Sequence, residues 1–122
     1  MTDTQPGPIF IVTDIEADGP TPLHHSMLSF ASVAIEADGT RHGEFEAVLK
    51  PRADRTSHQT TMEWWASQPE AWKAATTGAE DPATVMPRFA DWVDSLPGHK
   101  VFAAAPIMFD GLWMGHYLDE YA

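Results

Sequence analysis

Residues 9–20 constrain the fold of this chain more than any other part of the sequence. They open with an unbroken apolar run, residues 9–12, which is too short for a core helix and is typical of a strand buried on both faces. Asp14 and Glu16 follow two residues apart, so in a strand both carboxylates leave the same face. The dipeptide Gly19–Pro20 then ends the element. The sequence therefore predicts a buried strand that places two acids beside a turn.

The pair Asp14 and Glu16 favours a metal site. Two carboxylates held this close repel one another, and burial raises the cost of ionising both. A divalent cation such as Mg²⁺ or Mn²⁺ takes oxygen ligands and would relieve this repulsion. The alternative is that the strand runs out into a polar loop, where both acids are simply solvated.

The composition excludes several classes of protein. The length of 122 residues suits one domain, expected over residues 9–122, with residues 1–8 as a flexible N-terminal arm. No apolar run could cross a bilayer, the N-terminus lacks a signal-peptide pattern and cysteine is absent, so we expect a cytoplasmic protein without membrane association. The net charge of −11 argues against nonspecific binding to long duplex DNA and favours a short chain or a chain end.

Alternation and turn residues predict four strands. After the first, a second is expected over residues 27–35, followed by a hairpin turn at Asp38–Gly39 and a return strand over about residues 42–49. A short buried strand over residues 100–104 follows a helical region, and this passage favours a parallel crossover onto the first strand. Alternation divides the second strand into two faces, Leu28, Phe30, Ser32 and Ala34 on one and Met27, Ser29, Ala31, Val33 and Ile35 on the other.

Three helices are predicted between the third and fourth strands. Thr60 or Thr61 is expected to cap a short first helix, and Pro69 fits the first turn of the second. A longer, amphipathic third helix begins near Asp81 or, alternatively, near Thr84. The whole pattern is that of an α/β fold, in which an antiparallel trio and one parallel strand form a mixed sheet flanked by helices.

A third acid, Asp110, follows the last predicted strand at the start of a helix over residues 109–121. Ligands bind at the carboxyl ends of strands in α/β sheets, although an acid at this position is also an ordinary helix N-cap. Together with Asp14 and Glu16, Asp110 predicts a carboxylate cluster drawn from neighbouring strand ends.

These segments resemble the DEDD-type 3′–5′ exonucleases, which are relatives of RNase T and the proofreading exonucleases and have a ribonuclease H-like fold. Residues 14–19, Asp-Ile-Glu-Ala-Asp-Gly, look like the first family motif, and residues 102–110 look like the second. Residues 61–72 are similar to a segment of RNase T-like exoribonucleases. Ala105 and Pro106 stand where many relatives carry Asn. The third motif, with a His and a fourth acid, has no counterpart, so the chain resembles a C-terminally truncated member.

The resemblance implies a metal-dependent 3′–5′ exonuclease that hydrolyses terminal phosphodiesters of RNA or short single-stranded nucleic acid. RNA is the favoured substrate, and the products would be nucleoside 5′-monophosphates. Asp14 would bridge two Mg²⁺ or Mn²⁺ ions, with Glu16 and Asp110 each helping to hold one.

Three further residues are expected to contact the substrate. Gly19 lets the backbone approach a terminal sugar, where a side chain would clash. Met62 and Trp65 belong to a segment that, by the same resemblance, borders the nucleotide pocket. Trp64, Trp65 and Trp72 are all able to stack on bases, and the alternative for each is core packing, which we favour for Trp72.

Other functions stay open. The chain is alternatively an inactive fragment or degenerate relative that acts as a metal-binding, nucleotide-binding or interaction module, or a metal phosphohydrolase acting on mononucleotides. With three acids and no matching His, weak binding of a single ion and slow hydrolysis are expected. The last helix should leave Leu112, Trp113 and Leu118 partly uncovered unless a further segment, or a second copy in a homodimer, packs there.

Overall fold

The structure, a computed structural model, describes residues 7–105 and 107–122, and the side chains of all of these except Ile107 and Met108. The predicted N-terminal arm, residues 1–8, lies outside this range apart from its last two residues. No helix in the described part is long and apolar enough to cross a membrane. In chain order the elements are β1 (Ile9–Ala17), β2 (Met27–Ile35), β3 (Arg41–Val48), α1 (Gln59–Ala66), α2 (Pro69–Thr76), α3 (Pro82–Ser95), β4 (Lys100–Ala103) and α4 (Ile107–Tyr121).

The four strands form one mixed sheet in the order β3-β2-β1-β4, so β1 is a central strand. β1 pairs antiparallel with β2, and β2 with β3. The β2–β3 turn contains Gly39, whose φ of +95° lies in the left-handed region that favours glycine. β4 pairs parallel with β1, from the Ile9–Lys100 pair to the Val12–Ala103 pair. The predicted trio plus parallel strand, flanked by helices, is therefore confirmed.

Helices α3 and α4 cover one face of the sheet and form the main core with it. α3 begins at the earlier of its two predicted starts, because the Asp81 carboxylate accepts a hydrogen bond from the Ala83 amide at 3.0 Å and so caps the helix. The buried members of this core are Ile9, Ile11, Ile15, Met27, Phe30, Ala34, Leu49, Val85, Met86, Phe89, Leu96, Trp113, Met114 and Tyr117.

The prediction that residues 9–12 are buried on both faces is wrong. Ile9 and Ile11 face the main core, but Val12, on the opposite face, is 45% exposed. β4 is likewise half-buried along its length. Both results have the same cause, since α4 packs against these two strands and covers only one of their faces.

A β-bulge between Glu16 and Ala17 breaks the alternation predicted for β2. The register shifts there, so that Ala17 pairs with Met27. Met27 consequently joins Phe30 in the main core, whereas Leu28 packs in a second, smaller cluster with Trp65 and Ala75.

The start of α1 also differs from the prediction. The cap is His58, two to three residues before the predicted threonines, and its Nδ1 accepts a hydrogen bond from the Thr61 amide at 3.4 Å. His58 is fixed in this position because its own amide donates to the Asp18 carbonyl at 2.8 Å. α2 begins at Pro69, as predicted.

The exposed side of α4 agrees only in part with expectation. Leu112 is exposed and Leu118 is half-buried, as predicted. Trp113, in contrast, is fully buried, because it lies on the side of the helix that faces the main core beside Tyr117.

Candidate active site

Asp14 and Glu16 lie on the open face of β1, and both side chains are exposed. They are directly opposite Ala31 and Ser29 of β2. These two neighbours are small, so nothing in the adjacent strand covers the carboxylates. Strand alternation thus places the two acids on one face, as the sequence predicts.

Asp110 lies in the first turn of α4 and is only 4% exposed. The backbone amide of Ile15 lies beside its carboxylate and opposes the rise in its pKa. This amide is free to donate because Ile15 lies beyond the last β1–β4 pair, which is Val12–Ala103. Asp14 and Asp110 therefore line one open cavity of about 500 Å³ at the end of β4.

The three acids influence one another electrostatically. Partial shielding of the Glu16 carboxyl group from water raises its pKa, and the charges of Asp14 and Asp110 raise it further. Burial and then Asp14 raise the pKa of Asp110, against the opposing effect of the Ile15 amide. None of the ion pairs found within residues 7–105 and 107–122 includes any of these acids. Their negative charge is thus uncompensated by a basic side chain.

The donors at this site are carboxylates, which suit hard divalent ions such as Mg²⁺ or Mn²⁺. Asp14 and Asp110 share one cavity, whereas Glu16 and Asp14 share a neighbouring one of about 430 Å³. In the described part of the chain, no three His, Asp or Glu side chains converge closely enough to form one ion site. The chemistry of the donors therefore fits a divalent ion, and joint ligation by all three acids stays a prediction.

The turn after β1 is held by buried polar groups. The Asp18 carboxylate accepts a hydrogen bond from the Ser26 amide at 2.6 Å, and His25 Nδ1 donates to the Thr56 carbonyl at 2.6 Å. A Cβ atom at Gly19 would overlap the imidazole ring of His25. Packing inside the turn thus accounts for the glycine at position 19, which also borders a cleft next to Glu16.

The tryptophans of α1 divide between core and surface. Trp65 is only 3% exposed, and its Nε1 donates to the Ala17 carbonyl at 3.0 Å. Met62 packs against Trp65 and lines a separate apolar cavity of about 300 Å³, together with Trp72. Trp64, by contrast, is 52% exposed and borders the same cleft as Glu16.

Phe109 was not among the residues predicted to contact substrate, yet it borders this cleft from α4. The sequence feature that could identify Phe109 as a residue of the site is its position immediately before Asp110. An aromatic residue next to a helix-start acid is brought to the site by the same turn of helix.

Four histidines, His24, His25, His58 and His116, lie outside the cavities of the site. His25 and His58 hold the turn and the start of α1, and His116 contacts Arg55 at 3.3 Å. None of these three histidines lines the cavities that the described residues form around the acids, and His24 does not line them either. A general base is therefore not assigned to any of them.

No family model and no curated protein matches this chain. Its backbone is nevertheless similar to those of several solved structures. The chain shares its fold with part of E. coli exonuclease I. The complex of that enzyme with a dA16 oligonucleotide has a TM-score of 0.72 and 16% identity, over 94% of this chain. The complex with a 5cy-dA13 oligonucleotide has a TM-score of 0.70 and 14% identity, also over 94%.

A product-bound structure of exonuclease I gives a TM-score of 0.71 and 16% identity, over 93% of this chain. These matches cover 24%, 24% and 25% of the exonuclease I chains, in the order given. The chain thus spans about a quarter of their length. At such low identity the similarity shows a nuclease fold and carries no residue role with it.

Proposed function

We propose that this chain hydrolyses the terminal phosphodiester at the 3′ end of a single-stranded nucleic acid, with a divalent metal ion as cofactor. One observation supports this most directly. Asp110 is buried, shares a cavity with Asp14 and has a raised pKa, yet none of the ion pairs among the described residues includes either acid. An arrangement that is unfavourable for the free protein is typical of a site completed by a cation.

Mg²⁺ or Mn²⁺ bound here would stabilise charge on phosphoryl oxygens and lower the pKa of the attacking water. Asp14 is assigned the central position, because it alone borders both the cavity of Asp110 and the cavity of Glu16. The Asp110 carboxylate is buried beside the Ile15 amide, whereas the Glu16 side chain is exposed.

The substrate class follows from the charge of the chain and from the solved structures. A net charge of −11 leaves little basic surface to follow a long duplex. The exonuclease I structures include complexes with single-stranded dA13 and dA16 oligonucleotides. We therefore propose a short single strand as substrate, with nucleoside 5′-monophosphates as products, and retain RNA as the favoured polymer.

A second candidate is a module that binds a metal or a nucleotide without turnover. It is favoured by the lack of a three-ligand group and of an assignable general base in the part of the chain that the structure describes. The two candidates share the acids Asp14 and Asp110 and differ only in hydrolysis.

The decisive experiment uses 5′-labelled RNA and DNA oligonucleotides of one sequence with Mn²⁺, with Mg²⁺ and with a chelator. A ladder that shortens from the 3′ end, only with metal, is expected for the native chain and not for Asp14→Asn. Asp91→Asn changes an exposed acid on α3 that lines none of the cavities around the acids; it is the matched control and should degrade as the native chain does. Metal binding without any ladder would establish the non-catalytic module. Consumption of free nucleotides but not oligonucleotides would establish a mononucleotide phosphohydrolase.

A further inference from the structure

The open face of the sheet carries apolar side chains at the end away from the acids. Val12, on the central strand β1, is paired with Val33 of β2 on one side and with Ala103 of β4 on the other. Paired residues share a face of the sheet, so these side chains lie next to one another on the face that presents Asp14. The next row along the strands is also apolar. Both rows together form what we call the open-face patch: Phe10, Val12, Val33, Ile35, Val101 and Ala103.

None of the described helices packs on the open-face patch. α3 and α4 form the main core on the opposite face. α1 and α2 flank the open face at its acid end, where Ala74 lines a cavity with Asp14 and Glu16. No residue of the patch belongs to either hydrophobic cluster of the described residues. Val12 is 45% exposed and the other members are half-buried, so the described part of the chain leaves this apolar surface uncovered.

Acidic side chains border the open-face patch. Glu44 and Glu46 of β3 stand on the same face, because they are paired with open-face residues of β2. Asp14 borders the patch on β1, and all of these carboxylates are exposed. Arg41 is the one basic side chain among the strand residues of this face, all of which the structure describes, and its guanidinium contacts Glu44 at 3.1 Å. The rim of the patch is therefore negatively charged.

The dimensions of the open-face patch match one helix. The patch extends over β4, β1 and β2, which is about 10 Å at the usual strand spacing, and over two rows of side chains about 7 Å apart. An α-helix with its side chains has a diameter of about 10–12 Å. The apolar stripe of an amphipathic helix therefore covers the patch, and Lys or Arg residues beside that stripe meet the acidic rim.

A second copy of this chain is a poor partner for the same surface. Each copy carries a net charge of −11, which opposes self-association. Two copies packed face to face would also bring their acidic rims together. A basic partner, in contrast, is attracted by these same charges.

We propose that the open-face patch is the docking surface for a basic amphipathic helix of another protein. Apolar side chains of that helix pack on Val12 and Val33, and its Lys and Arg residues lie beside Asp14, Glu44 and Glu46. Because the patch is small, we expect a dissociation constant on the order of micromolar. The proposal is independent of the proposed function, since docking needs neither a metal ion nor hydrolysis.

The test uses three fluorescein-labelled peptides of about 18 residues, long enough to form a helix, titrated with the native chain in the presence of chelator. The first peptide has Leu at positions i, i+3, i+4 and i+7 and Lys elsewhere. The second has the same composition in a scrambled order without an apolar stripe, and the third keeps the stripe but replaces Lys with Glu. The native chain should bind the first peptide at least about 10-fold more tightly than either of the others.

Variants of matched charge locate the binding surface. Val12→Lys and Leu23→Lys make the same change at exposed apolar residues, but Leu23 lies in the loop after β1, outside the patch. Val12→Lys should weaken binding of the Leu/Lys peptide by about 10-fold, whereas Leu23→Lys should have little effect. Val12→Thr and Val33→Thr, which leave the charge unchanged and suit a strand, should each weaken binding by about 3-fold. Thermal melts check folding, and the threonine variants decide the matter where Val12→Lys does not fold.

Equal binding of the Leu/Lys and scrambled peptides would overturn the proposal, because charge alone would then explain the affinity. Equal effects of Val12→Lys and Leu23→Lys, or no binding at millimolar concentration, would also overturn it. Sedimentation of the native chain alone tests the competing occupant. A dimer that Val12→Lys dissociates and Leu23→Lys does not would assign the patch to a second copy instead. None of these results depends on metal-dependent hydrolysis at the acids.

Discussion

The carboxylate of Asp110 is buried beside the backbone amide of Ile15, the residue between Asp14 and Glu16, and this amide opposes the rise in the pKa of Asp110. The first turn of α4 thus meets β1 beyond the end of β4. The third acid therefore shares a cavity with Asp14 in the protein without metal. The arrangement is electrostatically unfavourable, and the first two predictions follow from that cost.

Asp110→Asn is expected to stabilise the fold. Asparagine keeps a side-chain oxygen beside the Ile15 amide but has no charge to desolvate or to repel Asp14. The free energy of unfolding without metal should rise by about 0.5–2 kcal/mol, as at other sites where function opposes stability. Urea denaturation at pH 7 measures this, with Asp91→Asn as the matched control. A less stable Asp110→Asn protein would contradict the inference that the charge of Asp110 destabilises the native state.

The raised pKa values of Glu16 and Asp110 predict a pH dependence of stability in the absence of divalent ions. Because Glu16 and Asp110 hold protons to higher pH in the native state than in the unfolded chain, their contribution to stability is complete below the ordinary carboxyl pKa. This contribution to stability is lost as the pH rises through the raised pKa values of the two groups in the native state. The double variant Glu16→Gln/Asp110→Asn should show a smaller fall in stability above about pH 4. An unchanged pH profile would count against the raised values.

Mn²⁺ should stabilise the native chain in proportion to its binding. An ion that binds only the folded state raises the melting temperature in a concentration-dependent way. We expect weak binding of a single ion, with a clear rise in melting temperature only at millimolar Mn²⁺, and no rise in Asp14→Asn. Calorimetric titration gives the stoichiometry. Tight binding of two ions would show that the three acids hold more metal than their placement indicates.

Gly19→Ala is expected to destabilise the turn after β1, because the new methyl group overlaps the ring of His25. Overpacking of this kind costs about 1–3 kcal/mol. The double variant Gly19→Ala/His25→Ala removes the obstructing ring and should be less destabilised than the sum of its two single changes. Simple additivity of the two changes in urea denaturation would show that the glycine serves another purpose.

A separate acid sensitivity arises at Asp54. The guanidinium of buried Arg52 donates to both carboxylate oxygens of Asp54, at 2.9 and 2.8 Å, and this lowers the pKa of Asp54 to about 2. The native carboxyl group therefore binds fewer protons than the unfolded one between about pH 4 and 2, so its contribution is present above this window and lost as the pH falls through it. Asp54→Asn should lose less stability than the native chain between pH 5 and 3. An equal loss of stability in the variant and the native chain would indicate that the Arg52–Asp54 pair is not formed in solution.

Local chemistry explains the elements that the sequence predicts well. Asp38–Gly39 supplies the turn that joins β2 to β3, and Pro69 starts α2, each through constraints contained within a few residues. The parallel direction of β4 follows from the helices between β3 and β4, because a helical crossover returns the chain to the sheet in its original direction. The common face of Asp14 and Glu16 needs only the two-residue period of a strand.

The errors concern features set by tertiary packing. An apolar run does not reveal that only one of its faces is covered, so Val12 was expected to be buried. Histidine is outside the usual capping residues, and His58 serves only because the Asp18 carbonyl fixes its backbone. Trp64 and Trp65 are adjacent on one helix, and which of them faces solvent depends on how α1 docks beside Ala17.

The bulge between Glu16 and Ala17 has a consequence for transplanting this site into another scaffold. On its N-terminal side the strand presents the acids, and on its C-terminal side the Ala17 carbonyl anchors Trp65 and, through it, Trp64. The extra residue of this bulge is Leu28 of β2, because Glu16 pairs with Ser29 and Ala17 with Met27. A graft of residues 9–17 alone would carry the acids but leave out Leu28, which shares a buried cluster with Trp65. The smallest portable unit is therefore β1 together with the bulged start of β2.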